Sequence, residues 1–450
     1  MRKNHFTGLL VVSIFSWVIV IYFLYLDHFH GNHNNLISAP EDALTNLEQK
    51  IKTELQTNQI LVERLKTAIQ NQWENSKNLN QNNVDSKEKN SKGSSLTRKT
   101  ELLFSHQENA IAVVVFACNR VTVTRCLDSL IKYRPDADLF PIIVTQDCQH
   151  EPTIKAIQSY GDQLYHIQQP DQSEIIVPPK EKKFKGYFKI ARHYGWALNQ
   201  TFNIYNFKTA IIIEDDLDVA PDIFEYFKGT LPLLQQDSTL WCISAWNDNG
   251  KLSLVDKTAS DVLYRTDFFP GLGWMLTKSL WTELYPKWPL SYWDDWIRQP
   301  EQRKGRACIR PELSRTRTFG KFGVSNGLFY EKYLKYIYLS EQFVPFTHKN
   351  LTYLLKDNYD VQFVRSVYES RVITYQELKS GSIVHDGPVR IPYHTKDHYR
   401  RTAKILGLMD DFRSGVPRTG YRGIVTFFYN NRKVYLAPNA NWKGYDITWS

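Results

Sequence analysis

Residues 209–216 read Thr209-Ala210-Ile211-Ile212-Ile213-Glu214-Asp215-Asp216, an apolar run that stops at three consecutive carboxylates. A β-branched run with no polar face predicts a strand buried on both sides. Burial right up to Glu214 places the acids at the edge of a sheet. Adjacent carboxylates repel one another unless a cation sits among them, and carboxylate oxygens suit Mg2+ or Mn2+. The competing reading is an acidic turn capping a helix that begins near Pro221-Asp222, and for a bare acidic triplet it would usually win.

The same punctuation recurs upstream. Residues 110–117 are continuously apolar, residues 140–145 and 164–167 give two more strands, and helix patterns separate them. The first helix carries Val123, Leu127, Leu130 and Ile131 and ends before Pro135. The second carries Ile154 and Ile157 and stops at Gly161. A third spans 189–202. Strands alternating with helices predict an α/β fold with a mostly parallel sheet and helices on both faces. Strand signals at 423–429 and 434–436 predict a smaller C-terminal domain, taken as residues 357–450. In an open parallel sheet, ligands bind beyond the carboxyl ends of the strands. Those ends carry Cys118-Asn119-Arg120, Gln146-Asp147-Cys148 and the three acids. Arg120 is a candidate for holding a phosphate, although a lone arginine is more often a surface residue.

The N-terminus fixes the expected compartment. Residues 6–26 contain no charge, enough for a helix of ~31 Å across a bilayer core. Arg2 and Lys3 precede them, so residues 1–5 are expected in the cytosol and the rest across the membrane. The bulky, polar residues after Leu26 fit a cleaved signal peptide poorly. Residues 27–105 read as a stalk, with a short, interrupted heptad around Leu44, Leu47, Ile51, Leu61 and Leu65 and then seven Asn within 71–100. Residues 106–320 remain for the main ligand-binding domain, and 321–356 for a linker with a mobile loop around Gly320, Gly323 and Gly327.

The chain has 450 residues, and Lys+Arg exceed Asp+Glu by 56 to 47. The basic residues are scattered and no nucleic-acid motif accompanies them, which argues against a nucleic-acid partner. Five Cys exclude a small disulfide scaffold, and no CxxC pair suggests a zinc ribbon. In an oxidising lumen at most two bridges form and one thiol is left over.

Three further patterns invite a functional reading. Gly323-Val324-Ser325-Asn326-Gly327 matches a nucleophile elbow, with Asp386 and His394 following in hydrolase order. The elbow needs an apolar strand before it, and residues 315–322 are not one. His394 and His398 have the spacing of zinc ligands but no third ligand beside them. Asp294 and Asp295 sit among Trp288, Tyr292, Trp293 and Trp296, which suggests a sugar platform around a general base or a helix start capped by Asp294. Sequons stand at Asn199 and Asn350.

Taken together, these residues resemble the N-acetylglucosaminyltransferase I family. The resemblance runs from about residue 110 to the end. It is carried by QDC (146–148), YFKIARHYGWAL (187–198), EDDLDVAPDIFEYF (214–227), LWCISAWNDNGK (240–251), LYRTDFFPGLGW (263–274), WDDWIRQPEQRKGRACIRPELSRTRTFG (293–320) and SGVPRTGYRGIVTF (414–427). It implies a GT-A-type nucleotide-sugar fold, UDP-N-acetylglucosamine as donor, Mn2+ as metal, and an oligomannose N-glycan as acceptor in the Golgi. It assigns the metal to Asp216, the donor to Arg120, Asp147, His193, Glu214, Asp215 and Ser325, and the catalytic base to Asp294. It also implies bridges Cys118–Cys148 and Cys242–Cys308, with Cys126 free. Two positions depart from the family's familiar members, which have Asp at Asn119 and His at Asn326. N-acetylglucosamine transfer to O-linked mannose is the near alternative. A non-catalytic lectin is the distant one, and it would not need Asp216, Arg120 and Asp294 together. The sequence leaves the oligomeric state open.

Overall fold

The computed structural model describes Lys52 and residues 109–449 apart from Phe322, Ser325, Asn326, Leu328 and His385. The chain divides into two compact units, Met1–Gly93 and Ser94–Ser450, and every strand described belongs to the second. Among the described residues no helix is long and apolar enough to cross a membrane. The expected anchor at 6–26 lies outside them, as do Ser325 and all of the stalk except Lys52, which is helical.

The main sheet has eight strands: β1 (Ile111–Ala117), β2 (Ile142–Gln146), β3 (Tyr165–Gln168), β4 (Thr209–Glu214), β6 (Leu240–Ser244), β7 (Leu263–Thr266), β8 (Trp274–Thr277) and β9 (Ala307–Pro311). A short β5 (Leu217–Val219) pairs separately with β10 (Thr316–Thr318). The spatial order is β3-β2-β1-β4-β8-β6-β9-β7. Pairing is parallel from β3 to β4. β8 then enters antiparallel to both β4 and β6, and β7 runs antiparallel to β9. Six of the eight strands therefore run in one direction and only β7 and β8 in the other, so the sheet is mostly parallel, as expected, but mixed. Helix Ile223–Gln236 carries the chain from the β4 side to the parallel β6, as a parallel crossover requires.

Every residue of β1 is buried, because helices cover both faces. Helix Val123–Tyr133 presents Val123, Cys126, Leu127 and Leu130 to one face, and helix Lys185–Asn199 presents Ala191, Tyr194, Ala197 and Leu198 to the other. A second sheet, with β11 (Arg371–Val372), β12 (Val389–Pro392), β15 (Val425–Tyr429) and β16 (Arg432–Ala437), packs around its own apolar cluster. Between β12 and β15 in the chain, β13 (Phe412–Arg413) and β14 (Val416–Pro417) form a short antiparallel ribbon. Both bridges have the implied pairing, Cys118–Cys148 and Cys242–Cys308, and Cys126 is free and buried.

One buried ion pair ties the acidic end of the sheet to the helix beyond it. Asp222, just before helix Ile223–Gln236, and Arg315, just before β10, are both 0% exposed at their side chains. Asp222 is not used as a helix cap. Its carboxylate takes Arg315 Nη2 at 3.1 Å and the backbone N–H of Val344 at 3.3 Å. Breaking a buried pair from one side strands the other charge at a cost of ~3–5 kcal/mol. Asp222→Ala should therefore lower unfolding free energy by that amount. A denaturant midpoint equal to wild type would remove the pair's assigned role.

Candidate active site

β1, β2 and β4 end side by side, with Ala117 opposite Gln146 and Phe116 opposite Glu214. The Cys118–Cys148 bridge joins the chain just beyond β1 to the chain just beyond β2. The ends of β1 and β4 and the residues just past them line a cavity of about 820 Å3, within the usual range for small-ligand sites. Arg120, His193, Glu214, Asp215 and Asp216 share its wall with Gly320 and Gly323. Asn119, one of the two departures, is also on the lining.

The acids are held apart in an ordered way. Arg120 Nη1 donates to Asp215 Oδ1 at 2.9 Å and also to Asp216 Oδ2. Glu214 Oε1 accepts from the Tyr194 hydroxyl at 2.9 Å. Burial, then the charges of Asp216 and Asp215, push the Glu214 carboxyl up to about 7. Burial raises Asp215 to about 6, against the pull of Arg120. Burial also works against the charge on Arg120, but Asp215 and Asp216 outweigh it and raise the guanidinium pKa. His193 is buried, which lowers its pKa to about 3, so a neutral imidazole lines the cavity with Nε2 2.8 Å from Thr145 Oγ1.

Among the described residues no three His, Cys, Asp or Glu side chains converge as a metal-ligand set. A cation here would rest on one protein carboxylate and fill its shell from bound phosphates, an arrangement Mg2+-type ions accept. Asp216 Oδ1 fits that part, since it is buried and has no hydrogen-bond partner although its residue lines the cavity.

Two assigned residues stand off the wall. Asp147 comes directly after β2 and is buried, with Oδ1 unpartnered, but it is not on the lining. Burial raises its pKa, opposed by Arg192 and Lys189. Asp294 also lies off the lining, beside two residues that are on it. Burial and then the Asp294 charge raise the Tyr187 phenol, and the same charge contributes at Tyr194.

The helix Trp293–Ile297 corrects two expectations. Its cap position is Tyr292, in left-handed backbone, so neither aspartate caps it. The tryptophans are mainly core: Trp293 is buried and stacks on Tyr194 at 4.4 Å, and Trp288 donates from Nε1 to Ala191 O at 2.9 Å. Both aspartates reach the same arginine. Arg298 Nη1 meets Asp294 Oδ2 at 3.0 Å and Asp295 Oδ1 at 3.1 Å, and Arg413 Nε lies 3.0 Å from the same Asp295 oxygen.

Several contributors escape a reading of the sequence. Tyr187, Ile190 and Tyr194 share a face of helix Lys185–Asn199, and their spacing of three, then four, is a readable signal. Arg298 lies four residues after Asp294, which is also a readable pairing. Lys321, also on the lining, has no signal beyond its neighbours. At Asn199, the sequon hydroxyl of Thr201 is buried and donates to Ala197 O, which disfavours glycosylation there. Asn350 is exposed.

Gly320 is a packing requirement of this site. A Cβ there would overlap the Asp216 carboxylate. Overpacking costs ~1–3 kcal/mol of stability, so Gly320→Ala should lower the unfolding free energy by about that amount. A denaturant midpoint equal to wild type would mean that Asp216 moves aside freely.

Similarity to known proteins ranges from weak to strong. The TarS structure from S. aureus is 14% identical over 45% of this chain and 58% of that chain, less than two thirds of its length, with a TM-score of 0.32. Glucosyl-3-phosphoglycerate synthase from Mycobacterium tuberculosis, solved with Mg2+ and uridine diphosphate, is 16% identical over 50% of this chain and 75% of that one, with a TM-score of 0.30. A curated Arabidopsis thaliana protein, alpha-1,3-mannosyl-glycoprotein 2-beta-N-acetylglucosaminyltransferase, is 42% identical over 330 residues, 72% of this chain and 73% of that protein. The GNT-I family model matches residues 10–449, nearly the whole sequence, and on that extent of agreement the chain belongs to the GNT-I family.

Proposed function

We propose that this chain transfers N-acetylglucosamine from UDP-N-acetylglucosamine, in β1,2 linkage, to the α1,3-mannose arm of an oligomannose N-glycan, the step that opens hybrid and complex glycans. The observation that carries the reading is the 42% identity to a plant enzyme of that name. A cavity of nucleotide-sugar size, walled by Arg120 and three acids, supports it. We read the fold as GT-A-type and residues 357–450 as a separate smaller domain. The family context supports a Golgi type II membrane protein anchored by residues 6–26.

In this reading Arg120 faces the diphosphate, and its guanidinium stabilises the charge that grows as UDP departs. Mn2+, held by Asp216 and by diphosphate oxygens, would add positive charge at the same place. Glu214, fixed by Tyr194, orients the donor sugar, and neutral His193, Asp147 and Ser325 complete the donor contacts. Asp294 takes the proton from the mannose 2-hydroxyl as that oxygen forms its bond to the anomeric carbon. The bond to UDP breaks on the opposite side, so the α-linked donor becomes a β-linked product.

The test is to incubate the full-length chain with UDP-N-acetylglucosamine, Mn2+ and a defined oligomannose acceptor, and to map the linkage formed. Transfer to the α1,3 arm at O2 is expected. Transfer only to an O-mannosyl peptide, or none to either acceptor, would defeat the proposal.

A further inference from the structure

A second cavity of about 230 Å3 lies where β7 ends and β9 begins. β9 runs parallel to β6, and β6 and β4 are both antiparallel to β8. The start of β9 is therefore at the edge opposite the acids, and the two cavities share no lining residue. Four cations line the second one, Arg265, Arg303, Lys356 and Arg422, against Asp267 and Asp360.

Most of these charges are matched. Arg265 meets Asp237 at 2.7 Å from behind the wall. Lys356 and Arg422 share Asp360 Oδ2 at 2.7 and 3.1 Å. Asp267 Oδ2 accepts from the Tyr445 hydroxyl at 2.6 Å and the Arg422 backbone N–H at 2.8 Å. Arg303 is the exception. It is only 8% exposed, its Nε is buried without a partner, and no described residue gives its guanidinium a hydrogen bond or ion pair. Its face lies over the Tyr445 ring at 5.0 Å, which leaves the donors along its edge unused. Burial raises the Asp267 carboxyl and the Arg303 and Arg265 charges pull it back, without a hydrogen bond or ion pair to Arg303. Counting Asp237, four cations face three carboxylates, so the wall keeps one positive charge in excess and the Arg303 edge has no protein acceptor among the described residues. Burying a charge without a partner is costly, and a guanidinium edge matches a carboxylate or phosphate bidentately.

We infer that this cavity binds a single oxyanion group, a carboxylate or a phosphate, gripped edge-on by Arg303 with Arg422 and Lys356 at its mouth. The inference does not depend on the transferase reading.

The test uses the purified full-length chain in detergent, with inorganic phosphate and acetate as probes against chloride at equal ionic strength. At saturation at least one oxyanion should raise the unfolding midpoint by about 2 °C or more over chloride, and the stronger one names the ligand class. The shift should persist in Arg120→Gln, which removes the phosphate-binding candidate of the first cavity, and vanish in Arg303→Gln. Arg422→Gln, at a half-exposed position where Lys356 still neutralises Asp360, should weaken the same binding at least several-fold by calorimetry even if Arg303→Gln does not fold. No shift with either anion, a shift that survives Arg303→Gln, or wild-type affinity in Arg422→Gln would each overturn the inference.

Discussion

Asp294→Asn should lower kcat by about 10²–10⁴-fold, the usual loss on removing a general base, and leave the Kd for UDP nearly unchanged. The two adjacent aspartates are almost equally exposed, at 44% and 48% of the side chain, so exposure does not choose between them. Their partners do. One Asp295 oxygen is claimed by both Arg298 and Arg413, whereas Asp294 shares Arg298 alone. Asp294 Oδ1 takes no hydrogen bond from the described residues. It is the less neutralised carboxylate, with an oxygen left to receive a proton. Asp295→Asn should lose part of two ion pairs and act mainly on stability. The decisive data are turnover and UDP affinity for both variants, with folding checked separately. A folded Asp294→Asn enzyme with near-normal turnover would refute the assignment, and a selective loss in Asp295→Asn would move the base by one residue.

Asp216→Asn is the second large effect. The amide keeps the size of the side chain but removes the charge, and it replaces an anionic oxygen ligand with a neutral group. Disturbing residues that merely support a ligand costs 10–100-fold in metal affinity, so losing the ligand itself should cost more than about 100-fold in Mn2+-dependent UDP binding. Titration of UDP with and without Mn2+ measures this without turnover. Arg120 also pairs with Asp215, at 2.9 Å, a contact the substitution does not remove, so metal-independent UDP binding should change far less. Equal metal dependence in Asp216→Asn and wild type would remove Asp216 as the ligand.

The parallel half of the fold is legible in the sequence because its strands are buried on both faces and therefore read as unbroken apolar runs. β8 is not legible. Trp274-Met275-Leu276-Thr277 is a short segment, and its direction is decided by contacts with β4 and β6 that no local pattern encodes. The candidate site is legible where it lies at strand ends, as with Arg120 and the three acids. Around Asp294 the sequence misleads, since aromatic density looks like a sugar platform but is largely core. A local pattern cannot tell a tryptophan that faces a neighbouring helix from one that faces a ligand. The role of Asp294 rests on resemblance, and Arg298 as its partner required the structure.

The position of β8 also governs how the chain can assemble as it is made. β1 to β4 can pair once residue 214 has emerged, because all four are then present. β6 cannot join them at that stage. Its neighbours in the sheet are β8 and β9, and both are synthesised later. At ~5–20 residues per second, β6 waits some seconds with Trp241 and Cys242 unpaired, which makes it a natural target for chaperones. The Cys118–Cys148 bond can close during that wait, whereas the Cys242–Cys308 bond cannot close until residue 308 has emerged. By then Cys126 should already be sequestered in the finished half-sheet, out of reach of a wrong disulfide.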